Sequence, residues 1–169
     1  MSQFKIYRAD PKSHQLISDI AMRSKAYWGY SPEFMEACRV ELTYSPSFLS
    51  ENDFFVVKDQ QTIVGFYGLV KLSEMQIELE ALFIEPDLIG RGLGRLLIEH
   101  AFVTAKASGA QEMIIQGDPN AAHFYTKIGG KLISEKESVS IPGRFLPLFS
   151  VDLMATVQHQ QERIIETDE

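Results

Sequence analysis

The run Leu88-Ile89-Gly90-Arg91-Gly92-Leu93-Gly94-Arg95 sets three glycines at alternate positions, immediately before a helical pattern. The first backbone N–H groups of a helix have no internal partners and lie at the positive end of its dipole. Glycine removes the side chains that would hold an anion away from those amides. The spacing therefore predicts a seat for a phosphate or pyrophosphate at Gly90–Arg95. Arg91 and Arg95 either add charge to that seat or are solvated helix-start arginines. A Walker loop would end in Gly-Lys-Ser/Thr, and Gly94-Arg95-Leu96 does not. A dinucleotide fingerprint would follow the first strand and put a glycine where Leu97 stands.

Two carboxylates lie just upstream, Glu78 and Glu80, two apart in an apolar strand. Partial burial and mutual repulsion would raise at least one pKa toward that of a useful base. A sheet edge with both groups solvated accounts for the same pattern. Period-two alternation predicts Glu78, Glu80, Leu82 and Ile84 on one face, with Ile77, Leu79, Ala81 and Phe83 on the other. Downstream, Tyr125 carries a phenol of ordinary pKa about 10, a candidate proton donor or a plain core residue. His123 reads as surface structure, His100 as packing and Cys38 as a small buried apolar residue. No histidine stands at ligand spacing with Cys, Asp or Glu, so no metal site is expected.

These residues need elements to position them. The pattern predicts a strand at 3–8, a helix from Ser13 to about Trp28 and a second helix from Glu33 to about Leu42, capped by Ser31-Pro32. Strands follow at 53–58, 63–72 and 76–84, then a strong helix at 92–108 and a strand at 112–116. A short helix at 121–127 and strands at about 131–138 and 145–153 complete the chain. That order is a mixed α/β domain of the α+β type with one compact sheet. Residues 1–154 form the expected domain and 155–169 a polar tail or terminal helix.

Composition agrees with one globular domain: of 169 residues, 45% are hydrophobic and 23% charged. Sixteen Lys+Arg against 23 Asp+Glu give 16 − 23 = −7, a balance that disfavours nucleic acid and mildly favours a cationic ligand. No long apolar run follows the amino-terminal charge and nothing reaches membrane-span length, so no membrane partner is expected. A single cysteine suits a reducing compartment, and the expected location is cytoplasmic.

With these motifs in place, the chain resembles the GNAT superfamily of acyl-CoA-dependent N-acetyltransferases. Ile89-Gly90-Arg91-Gly92-Leu93-Gly94 is similar to the family's Gln/Arg-x-x-Gly-x-Gly/Ala loop, with Ile89 departing at its first position. Glu80-Ala81-Leu82-Phe83-Ile84-Glu85-Pro86, Asp118-Pro119-Asn120-Ala121-Ala122-His123-Phe124-Tyr125 and Pro142-Gly143-Arg144-Phe145-Leu146-Pro147 extend the likeness. The resemblance implies about seven mostly antiparallel strands with about four helices, splayed between the fourth and fifth strands. It implies acetyl-CoA as donor, with its pyrophosphate on Gly90, Arg91, Gly92, Leu93, Gly94 and Arg95 and its pantetheine arm along Leu82, Phe83 and Ile84. An N–H at Leu82 or Phe83 would polarise the thioester.

By the same resemblance Glu80 is the base, with Glu78 as the other candidate, and Tyr125 is the acid. Asn120 contacts the coenzyme, with Asp118 in reserve. Trp28, Tyr30 and Glu78 belong to the acceptor pocket, although the aromatics Tyr27, Trp28 and Tyr30 equally suit a buried cluster. Arg144 could grip an acceptor carboxylate. The implied activity is direct acetyl transfer to a primary amine on a small molecule or peptide. The rivals are a protein N-terminal or lysine acetyltransferase and a non-catalytic CoA-binding sensor. The last hairpin suggests a homodimer.

Overall fold

The computed structural model describes residues 3–155. The chain runs β1 (Phe4–Arg8), α1 (His14–Ala26), α2 (Pro32–Cys38), α3 (Pro46–Glu51), β2 (Asp53–Asp59), β3 (Thr62–Lys71) and β4 (Gln76–Ile84). It continues through α4 (Leu93–Ala107), β5 (Glu112–Gln116), α5 (Ala122–Lys127), β6 (Lys131–Glu137) and β7 (Phe145–Asp152). The seven strands form one sheet in the order β1-β2-β3-β4-β5-β7-β6. Every neighbouring pair is antiparallel except β4–β5.

Helix α3 is the element that the sequence reading lacked. Ser45 caps it by accepting from the Phe48 N–H at 3.1 Å, and Pro46 opens its first turn. Both start signals stand in the sequence. At six residues, however, the helix is too short to present a repeating apolar stripe. The tail expected beyond residue 155 lies outside the described residues.

Two cores sandwich the sheet. One gathers Leu93, Leu97, Ile98 and Ala101 of α4 with Val57, Tyr67, Leu79, Met113 and Phe149 of the strands. The other gathers Ile17, Ile20 and Ala21 of α1 with Met35, Leu49, Phe54, Phe66 and Ala81. Among the described residues no helix is long and apolar enough to cross a membrane.

The feature that positions the site is the parting of β4 from β5. Their parallel pairing covers Gln76↔Glu112, Ile77↔Met113 and Glu78↔Ile114, and β4 then runs on to Ile84 without that partner. Its other edge remains paired to β3, but the register steps from Leu69↔Leu79 to Gly68↔Ala81. Glu80 is the extra residue of a β-bulge, which breaks strict alternation. Ile77, Leu79, Leu82 and Ile84 consequently pack on the α4 side, and Ala81 and Phe83 on the α1 side. The uninterrupted alternation expected from sequence is thus corrected: Leu82 and Ile84 share a face with Ile77 and Leu79, because one inserted residue reverses the phase.

Candidate active site

A cavity of about 470 Å³ fills the opening between β4 and β5 and reaches the loop before α4. At the loop, Gly90 and Gly92 have φ of 88° and 82°, left-handed values that strain any side-chain-bearing residue. A Cβ on either would meet nothing within 4 Å, so conformation rather than crowding requires glycine there. The loop itself tightens through Leu88 and Ile89 N–H bonds to the Glu85 and Pro86 carbonyls, and the Leu96 N–H closes the first helical turn on Gly92. Among the described residues, the amides from Gly90 to Arg95 have no protein acceptor. That cradle fits a pyrophosphate. Gly90, Gly92, Gly94 and Arg95 line the cavity, Arg91 stands exposed beside it, and the Leu93 side chain turns into the core.

Leu82, Phe83 and Ile84 form the β4 wall. The Glu85 N–H donates to Val64 on the β3 side at 2.8 Å, whereas the Ile84 N–H turns the other way, to Ser24 Oγ at 3.4 Å. Alternation directs the Leu82 N–H into the opening and the Phe83 N–H toward β3.

Glu80 is half-buried on the lining, with Glu78 and Glu41 also at the cavity. Burial pushes its carboxyl up to about 7, and the charges of Glu78 and Glu41 push the same way. No hydrogen bond or cation offsets this shift among the described residues. Glu41 lies in the turn after α2 and was not expected from sequence; no local pattern marks it.

Tyr125 is buried at the floor, its ring beside Gly117, where a Cβ would come within 2.8 Å of it. Burial first, and the Asp118 charge second, raise its phenol well above the ordinary range. Among the described residues no hydrogen bond holds its hydroxyl, whose oxygen is not closed off from the cavity.

The far wall is a polar network. Tyr30 Oη donates to Asp118 Oδ2 at 2.7 Å and accepts from Asn120 Nδ2 at 2.9 Å and Arg144 Nη2 at 2.8 Å. Lys25 Nζ reaches Asp118 at 3.4 Å and Arg144 reaches it at 3.5 Å. The Arg144 guanidinium also lies 5.2 Å from the Tyr30 ring centroid and 4.8 Å from that of Phe34. Burial alone would raise the Asp118 pKa. The Asn120 backbone N–H, the Tyr30 hydroxyl, Lys25 and the Asn120 amide outweigh it and hold the carboxyl below its ordinary value. Burial and the Asp118 bond push Tyr30 up to about 12.

Of the expected acceptor residues, Trp28 and Glu78 line the cavity, while Tyr30 stands behind it in the network. Asn120 and Asp118 are joined to each other, with both on the lining. Arg144 is spent on Tyr30 and Asp118. Sequence reading missed Lys25, Glu41 and Gln116, which only folding brings to one cavity. His100 packs under Tyr67, its Nδ1 2.6 Å from the Tyr67 hydroxyl, and Cys38 is buried.

Comparison with known proteins agrees with this fold. Residues 50–129 match the acetyltransferase (GNAT) domain. The peptidyl-lysine N-acetyltransferase YjaB of Salmonella typhimurium is 36% identical over 117 residues, covering 68% of this chain and 75% of that protein. The chain belongs to the GNAT acetyltransferase family and is an acetyl-CoA-dependent N-acetyltransferase. Two solved structures share its fold. A GCN5-related N-acetyltransferase from Rhodopseudomonas palustris has a TM-score of 0.74 at 24% identity, covering 90% of this chain and 97% of that one. The PaiA N-acetyltransferase of Thermoplasma acidophilum, in complex with coenzyme A, gives 0.72 at 21% identity, covering 90% and 99%.

Proposed function

We propose that the acceptor is a lysine ε-amine on a peptide or protein, and that Glu80 deprotonates it for direct attack on the acetyl group. The observation that carries this reading is the Glu80 carboxylate, half-buried on a bulge at the opening of β4 from β5, with a pKa of about 7. A base poised at working pH both accepts a proton from an ammonium and releases it afterwards. The curated relative YjaB acts on peptidyl-lysine, which favours that amine over others.

Bound acetyl-CoA supplies an activated acyl carbon and a thiolate leaving group. The Gly90–Arg95 amides hold its pyrophosphate, and Arg91 and Arg95 add charge alongside. Pantetheine lies against Leu82, Phe83 and Ile84, and the Asn120 side-chain oxygen, left unused by the network, accepts from it. The Leu82 N–H donates to the thioester oxygen as negative charge develops there. Glu41 and Glu78 draw the cationic acceptor in past Trp28, and Glu80 takes its proton. Acetylation cancels the cation, so the product loses its attraction to the carboxylates. Tyr125 returns a proton to the departing sulfur. Its raised pKa keeps the phenol protonated until the thiolate departs.

The test is acetyl-CoA consumption across lysine peptides, amino acids and polyamines from pH 5 to 9. Wild-type kcat/KM on a lysine peptide rises through about pH 7. Glu80→Gln lowers it roughly 10²- to 10⁴-fold while CoA affinity is unchanged. Full turnover by Glu80→Gln would remove the base from this account, and silence toward every lysine peptide would remove the acceptor.

A further inference from the structure

We infer that the side-chain carboxamide of Gln116 recognises a secondary amide on the acceptor, the peptide group beside the target lysine; this rests on the lysine reading above. Gln116 is the last residue of β5 and lines the cavity. Met113 and Ile115 point into the α4-side core, so Gln116 faces the other side of the sheet. The register of Glu78 opposite Ile114 places Gln116 across the opening from the bulge that carries Glu80.

Among the described residues, its Nε2 is the one buried side-chain nitrogen or oxygen without a hydrogen-bond partner. Its Oε1 has no protein partner either. A buried donor in that condition is costly, and an apolar residue of similar size would avoid the cost, while the Oε1 is the carboxamide atom left open to the cavity. The neighbouring segment is tightly held. The Gly117 N–H donates to the Pro147 carbonyl at 3.0 Å, and Gly117 lies flat against Tyr125. The carboxamide is therefore held beside the reacting centre and is not tied up in the protein.

Its chemistry differs from that of the rest of the acceptor side. Glu41, Glu78 and Glu80 offer only acceptors when ionised and select for a cation. The accessible Oε1 of Gln116 adds an uncharged acceptor, the complement of a peptide's N–H. Gln116 thus distinguishes a peptidyl lysine from a bare diamine. Pantetheine carries secondary amides too, but the face that Gln116 shares with Glu78 and the α1–α2 elements assigns it to the acceptor.

The experiment measures KM and kcat for Nα-acetyl-lysine N-methylamide, for 1,5-diaminopentane and for acetyl-CoA, in wild type, Gln116→Leu and Gln116→Met. Both variants are expected to raise KM for the blocked lysine roughly five- to tenfold, the loss of about one net hydrogen bond. KM for the diamine and for acetyl-CoA stays put, kcat holds, and the melting temperature is equal or higher. An equal rise for both amines, or no change in any KM, overturns the assignment. A rise confined to acetyl-CoA overturns it in favour of the pantetheine arm. If wild type acetylates neither amine, the lysine reading itself fails, and that failure is distinct.

Discussion

Glu80 and Asp118 are carboxylates on opposite walls of one cavity, and the structure drives them in opposite directions. Both are desolvated, which by itself raises a carboxyl. Around Glu80 the neighbours are Glu78 and Glu41, so charge adds to burial. Around Asp118 stand a backbone N–H, a phenol, an amide, Lys25 and Arg144, so donors overturn it. One is left poised to exchange a proton, the other a permanent anion that fastens four segments together. Burial alone does not make a catalytic base. The partners decide.

The strongest way to break this comparison is to remove the anchored member. Asp118→Ala leaves Lys25 and Arg144, with side chains 15% and 18% exposed, without their shared counter-charge. A loss of about 3 kcal/mol of stability is expected, read by urea denaturation. Unchanged stability would mean that the network contributes no net fastening.

A smaller effect concerns the poised member. Its folded pKa is raised above its unfolded value, so between the ordinary carboxylate range and about pH 7 the native state binds the extra proton. Stability from this group is therefore present at low pH and is lost as pH rises toward 7. Glu80→Gln has no such loss, and its melting temperature should gain on wild type between pH 5 and pH 8. A constant difference would place Glu80 in ordinary solvent. The mildest perturbation sharpens the comparison: Glu78→Gln removes one repelling charge and moves the acid limb of the rate profile down by roughly half a pH unit. An upward shift would contradict the electrostatics described.

Much of the fold was legible because its signals are local. The alternating glycines before α4 marked the loop of open amides, and Ser31-Pro32 marked the start of α2. The α3 start was written equally plainly at Ser45-Pro46 but led into only two short turns. At the site, Glu80 and Tyr125 stood out as residue types in a familiar order, yet the bulge was invisible. The polar–apolar alternation of Gln76–Ala81 gives way to an unbroken apolar run at Leu82–Ile84, which hides the phase; the step in register comes from pairing with β3. The interlock of Tyr30 with Asp118, Asn120 and Arg144 was equally hidden, since residues 30 and 144 meet only after the sheet forms. Gln116 carried no signal at all, because an unpaired donor is defined by what fails to surround it.

Chain order and residue type by themselves determined the strand and helix sequence, the glycine cradle and the pool of candidate carboxylates, since backbone freedom and amphipathic period act over a few residues. Tertiary structure alone decided which carboxylate is poised and which is pinned. It also decided which amide stays free. Solvation and hydrogen bonding depend on neighbours that the chain brings together only by folding.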